Sequence, residues 1–195
     1  MNINMKDKKR EEAILLSLRR CDYLTREQLQ KMHNLGQTRN AQRILYSMSE
    51  YVSSFTDEKK KIYYLNAEGR ERVQAEKVRK KTAMVTHYLM RNDLFIIKGR
   101  PSTWENEVKI ELPGTKTSII ADAAYTFNKI HCFVEVDYKQ SMRKNAAKIK
   151  KYQQLSTINP QFNLIWVTTT HYRKNKIESL CAELNYKAYL WEDLK

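Results

Sequence analysis

TSIIADAAYTFNKIHCFVEVDYK, residues 117–139, holds two apolar runs rich in Val, Ile, Phe and Tyr that meet around Asn128. β-Branched and aromatic residues bounded by turn formers predict two strands of one hairpin. Each strand carries acid: Asp122 on the first, Glu135 and Asp137 on the second. Asp122 and Glu135 lie 13 residues apart across the hairpin, which brings their carboxylates onto neighbouring strands. Buried like charges are costly unless a cation or a proton joins them. The group therefore predicts either a hard divalent cation, Mg²⁺ or Mn²⁺, or basic side chains arriving from elsewhere.

Working outward, residues 141–157 (SMRKNAAKIKKYQQLST) read as a helix with Ala146, Ala147, Ile149 and Leu155 inward and lysines outward. FNLIWVTTT (162–170) follows as a buried strand, then a helix over 173–185 and a short strand, KAYLW, at 187–191. On the other side, residues 83–98 predict a helix running into an extended piece. WENEVKIEL (104–112), carrying Glu105, predicts a strand that ends in the turn LPGTK. Strands alternating with helices predict an α/β domain with a mixed central sheet over residues 82–195.

Residues 1–81 have another rhythm. Ala13, Ile14, Leu15, Leu16 and Leu18 form the apolar stripe of a first helix. Thr25 with Gln28 three residues later is a capping box opening a second. Gly36 supplies a turn, and Thr38 caps a third helix through about Tyr51. That helix puts Ala41, Ile44, Leu45, Met48 and Tyr51 on one face and Arg39, Asn40, Gln42, Arg43 and Ser47 on the other. VSSFT, the polar tip DEKKK and IYYLN then form a hairpin, and Asn66 caps a last helix reaching to Lys81.

Charge narrows the partners. The 195 residues hold 36 Lys and Arg against 22 Asp and Glu, a net +14, with a pI near 9.6. That excess runs through both parts of the chain, with 19 basic and 11 acidic residues in 1–81. It points to a polyanion, with double-stranded DNA ahead of a membrane surface. No run approaches the roughly 18 apolar residues of a membrane span, and a secretory h-region is missing, so the expected compartment is the cytoplasm. Three cysteines without a CxxC pair, and four scattered histidines, argue against disulfides and zinc. The absence of a P-loop and of GxGxxG argues against a nucleotide cofactor.

Three helices followed by a basic-tipped hairpin resemble the bacterial winged helix-turn-helix, including the phrase Tyr63-Tyr64-Leu65 with Gly69 after the wing. That resemblance implies a recognition helix in which Thr38, Arg39, Asn40, Gln42 and Arg43 face base edges, arginine suiting guanine and the amides suiting adenine. Lys59, Lys60 and Lys61 on the wing would meet phosphate. The second domain resembles the PD-(D/E)XK nuclease core, which implies Glu105, Asp122, Glu135 and Asp137 as metal-binding or catalytic acids. Asp137 stands where that pattern carries lysine; Lys148, on the following helix, is the candidate replacement. Lys139, Arg143, Lys144 and Lys151 would line a helix that tracks the DNA backbone.

The order of motifs resembles the replication-relaxation family of plasmid and mobile-element proteins: the winged helix, Trp104-Glu105, Ala121-Asp122-Ala123, FVEVD with Glu135 and Asp137, then Lys148 and Tyr152. It implies DNA binding linked to replication, DNA relaxation or their transcriptional control. Taken with the recognition helix and the charge, the expectation is a sequence-specific double-stranded DNA-binding protein acting as a homodimer. The alternatives are a Mg²⁺-dependent endonuclease or nickase, and a protein-interaction adaptor within a replication assembly.

Overall fold

The computed structural model describes residues 5–195 as a mixed α and β protein. Its internal contacts divide the chain into two units, Met1–Asn92 and Asp93–Lys195. Among the described residues no helix is long and apolar enough to cross a membrane.

In the first unit α1 (Met5–Cys21) is followed by β1 (Leu24–Thr25), α2 (Arg26–His33) and α3 (Thr38–Ser47). Then come β2 (Val52–Asp57), β3 (Lys60–Leu65) and α4 (Ala67–Arg72). The strands form an antiparallel sheet in the order β1-β3-β2. Ile14, Leu15 and Leu18 of α1 are buried, as are Leu29, Met32, Ala41, Ile44 and Leu45 of α2 and α3. The capping box at α2 forms as expected: Gln28 N–H donates to Thr25 Oγ1 at 3.1 Å, and Thr25 N–H donates to Gln28 Oε1 at 3.0 Å. Glu58 and Lys59 at the β2–β3 turn are both left-handed, the twist a tight hairpin needs.

Three expectations shift here. Gln37, not Thr38, occupies the N-cap of α3, in an extended conformation and without a side-chain cap bond. The helix ends at Ser47, short of Tyr51. The helix capped by Asn66, which does accept from Gly69 N–H at 2.8 Å, ends at Arg72 instead of reaching Lys81. Beyond it Gln74 is left-handed, and Arg79 and the Lys80 carbonyl are drawn to Asp22 and Tyr23, at 2.8 and 2.7 Å. The Lys80 carbonyl is thus taken by a side-chain hydroxyl. Gly69 is required by close approach: a Cβ there would lie 2.0 Å from the Tyr51 carbonyl oxygen.

The first unit runs on past 81 to Asn92. α5 (Val85–Ile97) begins within it. Arg91 donates to Asp22 Oδ2 at 2.9 Å, and Asn92 to the Cys21 and Tyr23 carbonyls at 2.9 and 2.7 Å. These buried bonds fasten the middle of α5 to the end of α1 and the residues just after it.

The second unit is built on β4 (Glu105–Glu111), β5 (Ser118–Phe127), β6 (Ile130–Asp137), β7 (Phe162–Thr168) and β8 (Tyr186–Leu190), in that order across one mixed sheet. The first three strands are antiparallel; β6, β7 and β8 are parallel. Parallel neighbours need crossovers, supplied by α6 (Met142–Ile158) and α7 (His171–Leu180). Ile149, Tyr152 and Leu155 of α6 join Leu164 and Trp166 of β7 and Ile177 and Cys181 in one core. Asn145 is buried and Ala147 exposed, so the inward face of α6 is rotated from the expected one. The chain closes with a 3₁₀ turn, Trp191–Leu194.

Candidate functional site

Two groups of polar residues stand out, one in each unit. On α3 the apolar spacing buries Ala41, Ile44 and Leu45. The remaining positions, Thr38, Arg39, Asn40, Gln42 and Arg43, all face solvent. Arg39, Gln42 and Arg43 share one stripe by helical periodicity. Asn40 has a different job: its amide donates to the Leu35 carbonyl at 2.8 Å and its Oδ1 accepts from Arg43 at 3.0 Å. It braces the turn before α3 and holds the Arg43 guanidinium. Sequence reasoning missed Tyr46, which is 80% exposed on the same stripe, three residues beyond Arg43 and seven beyond Arg39. Lys59, Lys60 and Lys61 are exposed at the hairpin tip, with Lys61 Nζ 5.6 Å from the Tyr63 ring centre.

The second group lies on β6. Glu135 and Asp137 are two residues apart on one strand and so share a face, and both are fully buried. Lys148 of α6 forms an ion pair with Glu135 Oε2, and the Tyr152 hydroxyl donates to Oε1 at 2.7 Å. Burial, reinforced by the charge of Asp122, pushes the Glu135 carboxyl well above its ordinary 4.5, against the pull of Lys148 and Tyr152. Burial raises the Tyr152 phenol in the same way, and Glu135 adds to it.

Asp137 is held by four groups. Arg173 donates Nε to Oδ2 at 2.6 Å and its NH2 group to Oδ1 at 2.5 Å, a bidentate pairing. Asn145 donates to Oδ1 at 2.8 Å and Thr168 to Oδ2 at 3.0 Å. The residue expected to disturb the nuclease-like pattern is thus the hub joining β6, β7, α6 and α7.

Asp122 acts on the backbone. The β5–β6 ladder stops at Ala123 and Val134, and beyond it Asp122 Oδ2 accepts from Val136 N–H at 2.7 Å. A carboxylate thus replaces a ladder carbonyl where the two strands part. Glu105 is exposed, opposite Ala124. Strand register instead sets Glu107 opposite Asp122, at the one position the β4–β5 ladder skips, and Glu107 is left-handed there. Such backbone strain inside a strand was not readable from composition.

The expected acids are drawn to different partners. Among the described residues no group of three or more His, Cys, Asp or Glu is set to hold a metal ion. Asp122 and Glu135 are neighbours, Asp137 has both oxygens occupied by donors, and Glu105 stands apart. Of the helix expected to track a backbone, Lys139, Arg143 and Lys144 are exposed, whereas Lys151 donates to the Ser118 carbonyl at 3.0 Å. All three cysteines are buried and free, and burial pushes Cys21 and Cys181 up to about 12, far from the thiolate a nucleophile needs.

The sequence profile of the family described as replication-relaxation matches residues 15–165. No curated protein matches the sequence. The solved structures include a similar chain, protein VC1899 from Vibrio cholerae. It is 14% identical, with a TM-score of 0.40 over 97% of this chain and 51% of that one. The present chain thus spans about half the length of that protein.

Proposed function

The chain belongs to the replication-relaxation family, and on that premise we propose that it is a sequence-specific double-stranded DNA-binding protein serving the replication or relaxation of a plasmid or other mobile element. The observation that carries this reading is the outward stripe of α3. Arg39, Gln42, Arg43 and Tyr46 are exposed along one line, over a helix whose opposite side is buried. The order of α1, β1, α2, α3 and the β2–β3 hairpin, with β3 central in its sheet, supports a winged helix-turn-helix in which α3 enters the major groove. Arg39 and Arg43 match guanine edges, Gln42 matches adenine, and the lysine-tipped hairpin matches phosphate. A net charge of +14 supplies the long-range attraction.

Cleavage finds less support. Asp137 stands where the resembled nucleases carry lysine, and its carboxylate is neutralised by Arg173. Lys148 is near the strand as the nuclease reading requires, but its ammonium is spent on Glu135.

The test is selection of preferred duplexes from a random pool, then titration of variants against selected and unselected DNA. Loss of Arg39 or Arg43 costs about 1–3 kcal/mol on the selected site for each base contact removed. Replacing Lys59, Lys60 and Lys61 with Gln weakens all duplexes alike and flattens the salt dependence. An Arg39→Ala/Arg43→Ala protein that keeps its full site preference overturns the assignment of α3.

A further inference from the structure

From Tyr138 to Ile177 the sequence contains no Asp or Glu, yet nine Lys and Arg. Folding sorts these cations into two sets. Lys148 and Arg173 turn inward to the buried Glu135 and Asp137, Lys151 caps a β5 carbonyl, and Lys174 lies 3.9 Å from Glu178. Lys139, Arg143, Lys144, Lys150 and Lys176 remain exposed. The acids of β6 therefore cancel interior charge and leave the surface cationic.

The exposed set is mounted on a braced edge. The Arg173 guanidinium bonds both Asp137 and the Gln140 carbonyl, and Gln140 donates to Asn145 at 2.7 Å. One side chain thus ties the loop after β6 to the first turn of α7. Two tyrosines stand on these tied segments. Tyr172 is 67% exposed and Tyr138 half-buried. Each carries a lysine over its ring, Lys139 Nζ at 4.8 Å from Tyr138 and Lys176 Nζ at 6.0 Å from Tyr172. Neither α6 nor α7 has an acid in its first turn.

We propose that this edge of the second unit, formed by Tyr138, Lys139, Arg143, Lys144, Tyr172 and Lys176, is a binding surface for single-stranded DNA. Rings with a cation beside each are what an unpaired strand uses: bases stack on the tyrosines while lysines follow the phosphates. In a duplex the base faces are already stacked and only the cations engage. The surface uses none of the α3 residues and does not rest on duplex recognition there.

The experiment measures anisotropy of a labelled oligothymidylate with the full chain. The wild type binds it, and Tyr138→Ala/Tyr172→Ala weakens binding about tenfold or more. Tyr138→Phe/Tyr172→Phe, which keeps the rings, binds as the wild type does. Replacing Lys139, Lys144 and Lys176 with Gln weakens binding and flattens its salt dependence. Arg39→Ala/Arg43→Ala leaves it unchanged, which separates this surface from α3 whether or not the duplex reading survives. In that arginine background an unlabelled duplex of equal length competes poorly. The proposal is overturned if the wild type ignores oligothymidylate, if the alanine pair binds as well as the phenylalanine pair, or if the arginine variant loses the signal. An equally good duplex competitor also overturns it.

Discussion

α3 and β6 both carry charged side chains and use them in opposite ways. On α3 the guanidinium groups of Arg39 and Arg43 lie at the surface, and their chief intramolecular tie is one bond from Arg43 to Asn40. On β6 the carboxylates are fully buried, and Asp137 alone receives bonds from Arg173, Asn145 and Thr168. A polar group kept in water at little structural gain is available to a ligand, whereas one buried and saturated is part of the fold. The difference leaves α3 a surface open to a ligand and makes β6 a strand that holds. It also gives the acids that draw the eye in the sequence a structural role.

The sharpest way to break this comparison is Asp137→Ala. Removing one partner of a buried ion pair costs about 3–5 kcal/mol. Here it also strands the buried amide of Asn145 and the hydroxyl of Thr168. Urea denaturation should show a loss in that range. A loss below about 1 kcal/mol would mean that Arg173 is satisfied by water and that Asp137 is not the hub of the second unit.

Glu135 gives the next largest effect, as a pH dependence. Its folded pKa is raised above the ordinary 4.5 by burial and by Asp122. A group that binds its proton more tightly when folded stabilises the fold fully below the unfolded value, and that contribution is lost as pH rises through the folded value. Each pH unit separating the two values is worth about 1.4 kcal/mol. The stability of the wild type relative to Glu135→Gln should therefore fall as pH is raised from about 4.5. A difference that stays flat or grows with pH would show that the Lys148 pairing overrides burial.

Much of this architecture was legible locally. The Thr25–Gln28 box, the hairpin and its lysine tip, and the alternation of strands and helices after residue 100 all obey short-range rules, and Asp122 beside Glu135 followed from hairpin spacing. What was not legible depends on residues far apart in the chain. Asp137 is completed by partners 31 and 36 residues away, Thr168 and Arg173, which only the parallel crossovers deliver. The left-handed Glu107 follows from how β4 meets β5, not from its neighbours in sequence. Residue type puts the N-cap of α3 at Thr38, but Asn40 braces the preceding turn through Leu35 and the cap falls at Gln37. Tyr46 escaped notice because an aromatic residue in a helix is ordinarily read as core.

The smallest effect is the most telling for α3. Surface substitutions that touch no structural feature change stability by less than about 0.5 kcal/mol. Arg39→Ala and Tyr46→Ala should both fall inside that limit, and Arg39→Ala eases the mutual repulsion of a chain with net charge +14. Asn40→Ala is the internal contrast, since it removes the bond to the Leu35 carbonyl and should cost about 1 kcal/mol. Thermal and urea denaturation of the three variants, run side by side, rank Asn40 above the other two. If Arg39 or Tyr46 proves as costly as Asn40, the stripe is holding α3 in place, and the division between an open surface and a strand that holds fails on the side of α3.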